Sequence, residues 1–174
     1  MRYVWGCVFA FLVSSCGLKE AQAEKSLGLP NFLISDFKYV AINTMGQKEW
    51  ELKASEAVMY QNSDDVFIYN FRVAFYRISN GVEILDSILT ANKGQVNKKS
   101  LLVIAEGNVR ILASETSLET ERIQWDNIKK LFFSEAGIPV VIQRGGTRLI
   151  GYNLVADASL KEIRMENIDA KIQQ

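Results

Sequence analysis

The chain has no histidine, and its only two cysteines are Cys7 and Cys16. Those absences remove histidine general bases and the usual zinc ligand sets, and beyond Cys16 they remove every thiol nucleophile and internal disulfide. Proline is scarce, at Pro30 and Pro139 only, so long strands are free of the residue that deletes a ladder donor. An excess of one charge is missing as well, because 20 basic residues balance 20 acidic ones. Such a balance gives no electrostatic basis for binding nucleic acid. No apolar run reaches the roughly 20 residues that cross a hydrocarbon core. There is no P-loop, no dinucleotide fingerprint and no calcium loop, and no metal or cofactor is expected.

What is present begins with an address. Arg2 supplies a positive start, residues 4–13 an apolar stretch, and Ser14 and Ser15 two small residues directly before Cys16. The run Leu12-Val13-Ser14-Ser15-Cys16 resembles the lipobox of a bacterial lipoprotein. On that reading residues 1–15 are a signal peptide and Cys16 is the lipidated residue. A cleaved signal with a coincidental cysteine, or an uncleaved short anchor, is the alternative. Residues 16–31 are polar and aperiodic and read as a tether, leaving residues 32–174 as one domain.

From Phe32 onward the pattern is β. Alternation is visible in Trp50-Glu51-Leu52-Lys53-Ala54, in the run from Phe67 to Phe75, in Val109-Arg110-Ile111 and in Ile163-Arg164-Met165-Glu166. Turn signals separate these runs, at Thr44-Met45-Gly46, Asn80-Gly81, Gly107-Asn108 and Gly145-Gly146. Residues 54–60 fit a helical turn as well as a strand. Strict alternation places Phe67 and Tyr69 on one face with Phe71, Val73 and Phe75, and Trp50 with Leu52 and Ala54. A repeat with an offset of 29 takes Leu89-Thr90-Ala91 onto Leu118-Glu119-Thr120, and Leu102-Val103-Ile104-Ala105-Glu106 onto Leu131-Phe132-Phe133-Ser134-Glu135. Such units cannot bury an apolar face alone and must stack. The expected fold is all-β, an elongated, open, twisted jellyroll of antiparallel strands, with an ordinary closed sandwich as the alternative.

No constellation points to catalysis. Ser35 and Lys38 have Ser-x-x-Lys spacing, which puts them on opposite faces of a regular strand. Glu119 and Glu121 share a face in the manner of a glycosidase pair, yet a solvated strand face explains them as well. A single Arg144-Gly145-Gly146 is a hairpin turn rather than an RNA-binding repeat. The aromatic and aliphatic stripes are core residues by default, but a repeat sheet that does not close leaves a groove suited to acyl chains.

The order Phe37-x-Tyr39, Gly46-x-x-x-Trp50-x-Leu52-x-Ala54, Leu89-x-Ala91-x-x-Gly94, Gly107-Asn108-Val109-x-Ile111, Leu118-x-Thr120-x-x-Ile123-x-Trp125-Asp126 and Gly151-x-x-Leu154-x-Ala156-Asp157 resembles the LptC family. That resemblance implies a periplasmic, non-enzymatic bridge protein of outer-membrane biogenesis. Such a protein accepts lipopolysaccharide from an inner-membrane ABC transporter of LptB, LptF and LptG type and passes it to an LptA-like protein. The groove residues expected on this basis are Trp50, Leu52, Phe67, Phe71, Val73, Phe75, Val103, Ile111, Trp125, Phe133, Leu149 and Leu154. Residues 160–172, with Leu160, Ile163, Met165 and Ile168, would be the edge offered to the LptA-like partner, and residues 32–42 would face the transporter. Family members commonly carry an uncleaved transmembrane helix where this chain shows a lipobox, so a lipid anchor at the inner membrane is expected in its place. The alternative function is an outer-membrane lipoprotein acting as a structural or protein-interaction module.

Overall fold

The computed structural model describes residues 29–172 apart from residue 62, so the signal segment, Cys16 and residues 16–28 of the tether lie outside the described residues. The alternating segments form strands β1 Phe32–Ile42, β2 Lys48–Met59, β3 Asp65–Ser79, β4 Val82–Asn97, β5 Leu102–Ala113, β6 Thr116–Asp126, β7 Leu131–Ser134, β8 Val140–Arg144, β9 Thr147–Asp157 and β10 Ile163–Ile172. Residues 54–59, open between helical turn and strand in the sequence, continue β2. All ten strands belong to one antiparallel sheet of order β1-β2-β3-β4-β5-β6-β7-β9-β10, with β8 bridging β6 and β9 beside β7. This is the all-β, open jellyroll architecture expected from the stacked hairpins. The repeat maps β4 onto β6 and the start of β5 onto β7, alternate strands of the same sheet.

One sheet makes two layers because its strands bend along a common line. Asp36, Asn70, Asn108, Asn153 and Asn167 adopt left-handed backbone, with φ of 53°, 44°, 50°, 52° and 50°. Asn and Asp tolerate that region because their short polar side chains hydrogen-bond locally. Ladder pairing is interrupted at the same height in neighbouring strands. It passes from Glu56–Tyr69 to Ala54–Phe71, from Lys93–Glu106 to Thr90–Arg110, and from Glu106–Arg122 to Val109–Thr120. Between β4 and β5 and between β5 and β6 the extra residue lies in β5 and acts as a bulge. Between β2 and β3, Ser55 and Asn70 are skipped opposite each other with no change of register, and the inward-facing set of both strands advances by one position all the same. In β3 the positions in the core run Val66, Ile68, then Phe71, Val73, Phe75; in β2 they run Trp50, Leu52, Ala54, then Ala57.

This phase shift corrects the face assignment made from strict alternation. Phe67 and Tyr69 do not share a face with Phe71, Val73 and Phe75, because Asn70 intervenes. On the first layer an inward row runs through Tyr39, Leu52, Val73, Leu89, Ile111, Leu118, Ile142 and Leu149, each in register with the next. On the second layer the matching row is Met59, Val66, Val96, Val103, Trp125, Phe132, Ala156 and Ile163. The layers meet where Phe75 packs on Trp125 and Phe132, ring centroids 4.6 Å and 5.3 Å apart. Burying a large apolar side chain is worth roughly 1.5–3 kcal/mol, so these rows are the main reason the sheet stays folded.

Two local features hold the geometry. Gly94 lies under the Phe71 ring at the bend, where an added Cβ would come within 2.6 Å of Phe71 Cε1 and 2.8 Å of the Ile104 carbonyl oxygen. The edge strand β1 is tied to β2 by Glu51, whose carboxylate lies 3.0 Å from Lys53 Nζ, 3.4 Å from Lys48 Nζ and 3.5 Å from Lys38 Nζ. The hydrogen bond from Lys53, aided by the charge of Lys38, lowers the Glu51 carboxyl from its usual 4.5 to about 2.

Gly94→Ala should therefore cost about 1–3 kcal/mol through overpacking, read as a lower urea midpoint; an unchanged midpoint would mean that the ring does not rest on the glycine. The Glu51 contribution has a definite sign. A depressed carboxylate stabilises the fold above its unfolded value and loses that effect as pH falls through the folded one. Wild type should thus melt higher than Glu51→Gln above pH 4.5, and the two should converge as the pH approaches about 2. Parallel melting curves at every pH would contradict this.

Candidate functional site

The space between the layers is the candidate site. Ten of the expected groove residues point into it or border it: Trp50, Leu52, Phe71, Val73, Phe75, Val103, Ile111, Trp125 and Leu154 are buried in the core, and Leu149 packs against it. Phe67 and Phe133 do not. Phe67 lies on the outer face against Tyr60, with ring centroids 5.7 Å apart, and Phe133 lies outside beneath the Lys129 ammonium. Their inward neighbours, Ile68 and Phe132, take the interior places. The bend displaces Phe67, and the parity of β7 sets Phe132 rather than Phe133 against Trp125.

At the mouth, opposite the bend, the two layers are clasped. Trp50, in β2 of the first layer, donates from Nε1 to Asn127 Oδ1 at 2.9 Å across the interior. Lys130 Nζ lies 3.1 Å from the same amide oxygen and 2.9 Å from Glu49 Oε2. Asp126 shapes the turn that presents Asn127 and Lys130, accepting the Ile128 and Lys129 N–H groups at 2.9 Å and 3.0 Å. The Lys129 N–H, followed by the Lys129 ammonium and the Ile128 N–H, holds the Asp126 carboxyl below the usual carboxylate range. Farther along the mouth the Arg144 guanidinium donates to the Leu160 carbonyl, and its Nε to Thr116 Oγ1 at 2.9 Å. Alternation could not reveal these partners, since Trp50 and Asn127 are 77 residues apart.

Behind the clasp the interior is narrow. An apolar cavity of about 230 Å³ lies between Phe37, Tyr39, Trp50 and Leu52 on one layer and Met59, Val66 and Val96 on the other. A second, of about 290 Å³, is floored by Trp50, Phe75 and Trp125 and rimmed by Glu49 and Lys130. Sites for sizeable ligands usually span roughly 300–1,000 Å³, so a bulky amphiphile requires the layers to part. The larger hollow of about 590 Å³ along the outside of the bend is shallow and of mixed lining, with Val109, Pro139 and Val141 beside Arg110, Glu119 and Glu121. There Glu119 is ion-paired with Arg110 at 2.7 Å.

The sheet ends in two edges, since β1 pairs only with β2 and β10 only with β9. Within the stretch expected to form the second edge, Ile168 is exposed, whereas Ile163 and Met165 turn inward against the core. Leu160 is fully buried in the turn before β10, so it belongs to the core and not to the edge. Among the described residues no helix is long and apolar enough to cross a membrane, and no cluster of His, Cys, Asp and Glu could hold a metal ion.

Residues 3–169 match a family model described as LptC: Lipopolysaccharide-assembly, LptC-related. No curated protein matches the chain significantly.

Asn127→Ala should leave the Trp50 indole N–H buried without an acceptor, at a cost of about 1–3 kcal/mol. It should also raise the binding of an apolar fluorescent dye to the folded protein. Unchanged stability with unchanged dye binding would contradict a clasp.

Proposed function

The chain belongs to the LptC-related lipopolysaccharide-assembly family, and on that premise we propose that it carries lipopolysaccharide between partners at the inner membrane. Membership implies a role in lipopolysaccharide transport. The finer assignment is a bridge that accepts the lipid from an ABC transporter of LptB, LptF and LptG type and hands it to an LptA-like protein. The observation that carries it is the two-layer interior, with facing apolar rows and a mouth closed by contacts that can separate. Acyl chains would lie between the rows and sugars outside the mouth.

Energetics favour relay over storage. Each methylene buried gains about 0.8 kcal/mol, and the same gain is available in a neighbour with a like interior. Transfer between two such grooves is then close to balanced, and the direction must come from the transporter's ATP hydrolysis. The protein itself needs no catalytic group.

The edges supply the joints. An unpaired strand edge can extend into a neighbour's sheet by main-chain hydrogen bonding. In this reading β1 Phe32–Ile42 faces the transporter and β10 Ile163–Ile172 receives the LptA-like protein. Ile168 marks the exposed part of that edge, and Ile163 and Met165 anchor it from inside. Cys16, carrying lipid, would hold the domain at the membrane in the role that a transmembrane helix plays elsewhere in the family.

Photo-crosslinkers at Phe75 or Trp125 should capture lipopolysaccharide in cells, and one at the outward Arg72 should not. The tagged protein should also purify with the transporter subunits and the LptA-like protein. Capture from Arg72 alone, or residence in the outer membrane without transporter subunits, would overturn the assignment and favour a structural lipoprotein.

A further inference from the structure

Two polar atoms inside this apolar interior have nothing to bond. Among the described residues, Trp125 Nε1 and Ser87 Oγ are the buried side-chain nitrogen and oxygen atoms without a hydrogen-bond partner. Their residues are 2 % and 1 % exposed. Leaving a donor buried and unpaired costs free energy that an apolar residue of similar shape would avoid, so each orphan calls for a reason.

Their positions supply one. Ser87 is the register partner of Phe75 on the first layer. Trp125 faces Phe75 from the second layer at a centroid distance of 4.6 Å. The two orphans therefore flank the same ring from opposite layers. Trp125 and Phe75 also line the cavity of about 290 Å³ whose rim includes Glu49 and Lys130 of the clasp. Trp125 thus carries an unused donor beside a cavity that joins aromatic rings to the charged Lys48, Glu49, Arg77, Asp86 and Lys130, and Ser87 lies next to Phe75 in the same wall.

We propose that Trp125 Nε1 and Ser87 Oγ form a polar subsite that receives the carbonyl oxygens of ester- or amide-linked acyl chains. The inference rests on the lipid-carrying role above and adds a chemical preference to it. A hydrocarbon chain alone leaves both orphans unpaired. Chains entering with their carbonyls at the depth of Phe75 offer one oxygen to the indole N–H on one side of the ring and another to the serine hydroxyl on the other. Those acceptors sit where a lipid changes from hydrocarbon to headgroup, which matches a position just inside the mouth. The subsite selects acyl lipids over chains of equal length without a carbonyl.

The test uses the full chain and a synthetic phosphorylated glucosamine amphiphile in two forms. One form carries ester-linked acyl chains and the other the same chains as ethers. Wild type should bind the ester roughly threefold to tenfold more tightly, the range of one net hydrogen bond. Trp125→Phe keeps a ring against Phe75 and Phe132 but removes the donor, so it should narrow the ester's advantage towards the ether's affinity. Ser87→Ala should narrow the preference in the same direction, and it provides the readout if the tryptophan variant does not fold. Equal binding of the two forms by wild type, as expected if buried water alone satisfies the orphans, would overturn the subsite while leaving lipid binding intact. So would binding of lipopolysaccharide with neither amphiphile bound. Failure to bind lipopolysaccharide as well would instead remove the carrier function on which the subsite rests.

Discussion

A sheet ten strands wide encloses an interior only if its strands bend at the same height and turn the same face inward on both sides of the bend. Left-handed Asp36, Asn70, Asn108, Asn153 and Asn167 mark that line. The local backbone cost is modest at Asn and Asp, and the return is collective. With the advance of one position, Phe71 and Val73 are buried rather than exposed, and Phe75 packs on Trp125 and Phe132. Without it, either Val66 and Ile68 or Phe71 and Phe75 would point outward, and the two apolar rows could not face each other. Gly94 is the packing counterpart of this backbone device, since the Phe71 ring covers the strand where the bend passes.

The mouth is built on different principles from the bend. The bend is covalent chain conformation and always present. The mouth is closed by the Trp50–Asn127 hydrogen bond, the Lys130–Glu49 pair and the Arg144–Leu160 contact, each worth little against the apolar rows. A permanent hinge with weak closures suits a carrier, because chains can enter without unravelling the sheet. The orphaned indole of Trp125 fits the same picture as a group left unsatisfied until a ligand arrives.

Much of this is legible in the sequence, and what is not has local physical causes. Strand identity, turns and the repeat follow from alternation and from glycine and asparagine placement. Trp50, Leu52, Val73 and Ile111 are buried, and alternation suffices to pair each with its inward neighbours because each lies within one unbroken half-strand. Strict parity does not hold across Asn70, which puts Phe67 outside; the polar Asx in the middle of an aromatic run is the signal of that break. Phe133 required a choice between two adjacent phenylalanines that alternation alone does not make. Leu160 follows Asp157, whose carboxylate accepts the Ser159 and Glu162 N–H groups and forms a turn that folds the leucine inward. The Trp50–Asn127 clasp spans distant segments, and nothing in either segment announces the other.

The central claim is that acyl chains lie between the layers, against Phe75 and the two buried tryptophans. Trp50 and Trp125 can report this without added labels, since the third tryptophan, Trp5, lies in the segment that the proposed processing at Cys16 removes. Lipopolysaccharide carrying brominated acyl chains should quench their fluorescence when it binds, because bromine acts only at short range. Saturable binding of the brominated lipid with tryptophan emission undiminished would place the chains elsewhere and contradict the account.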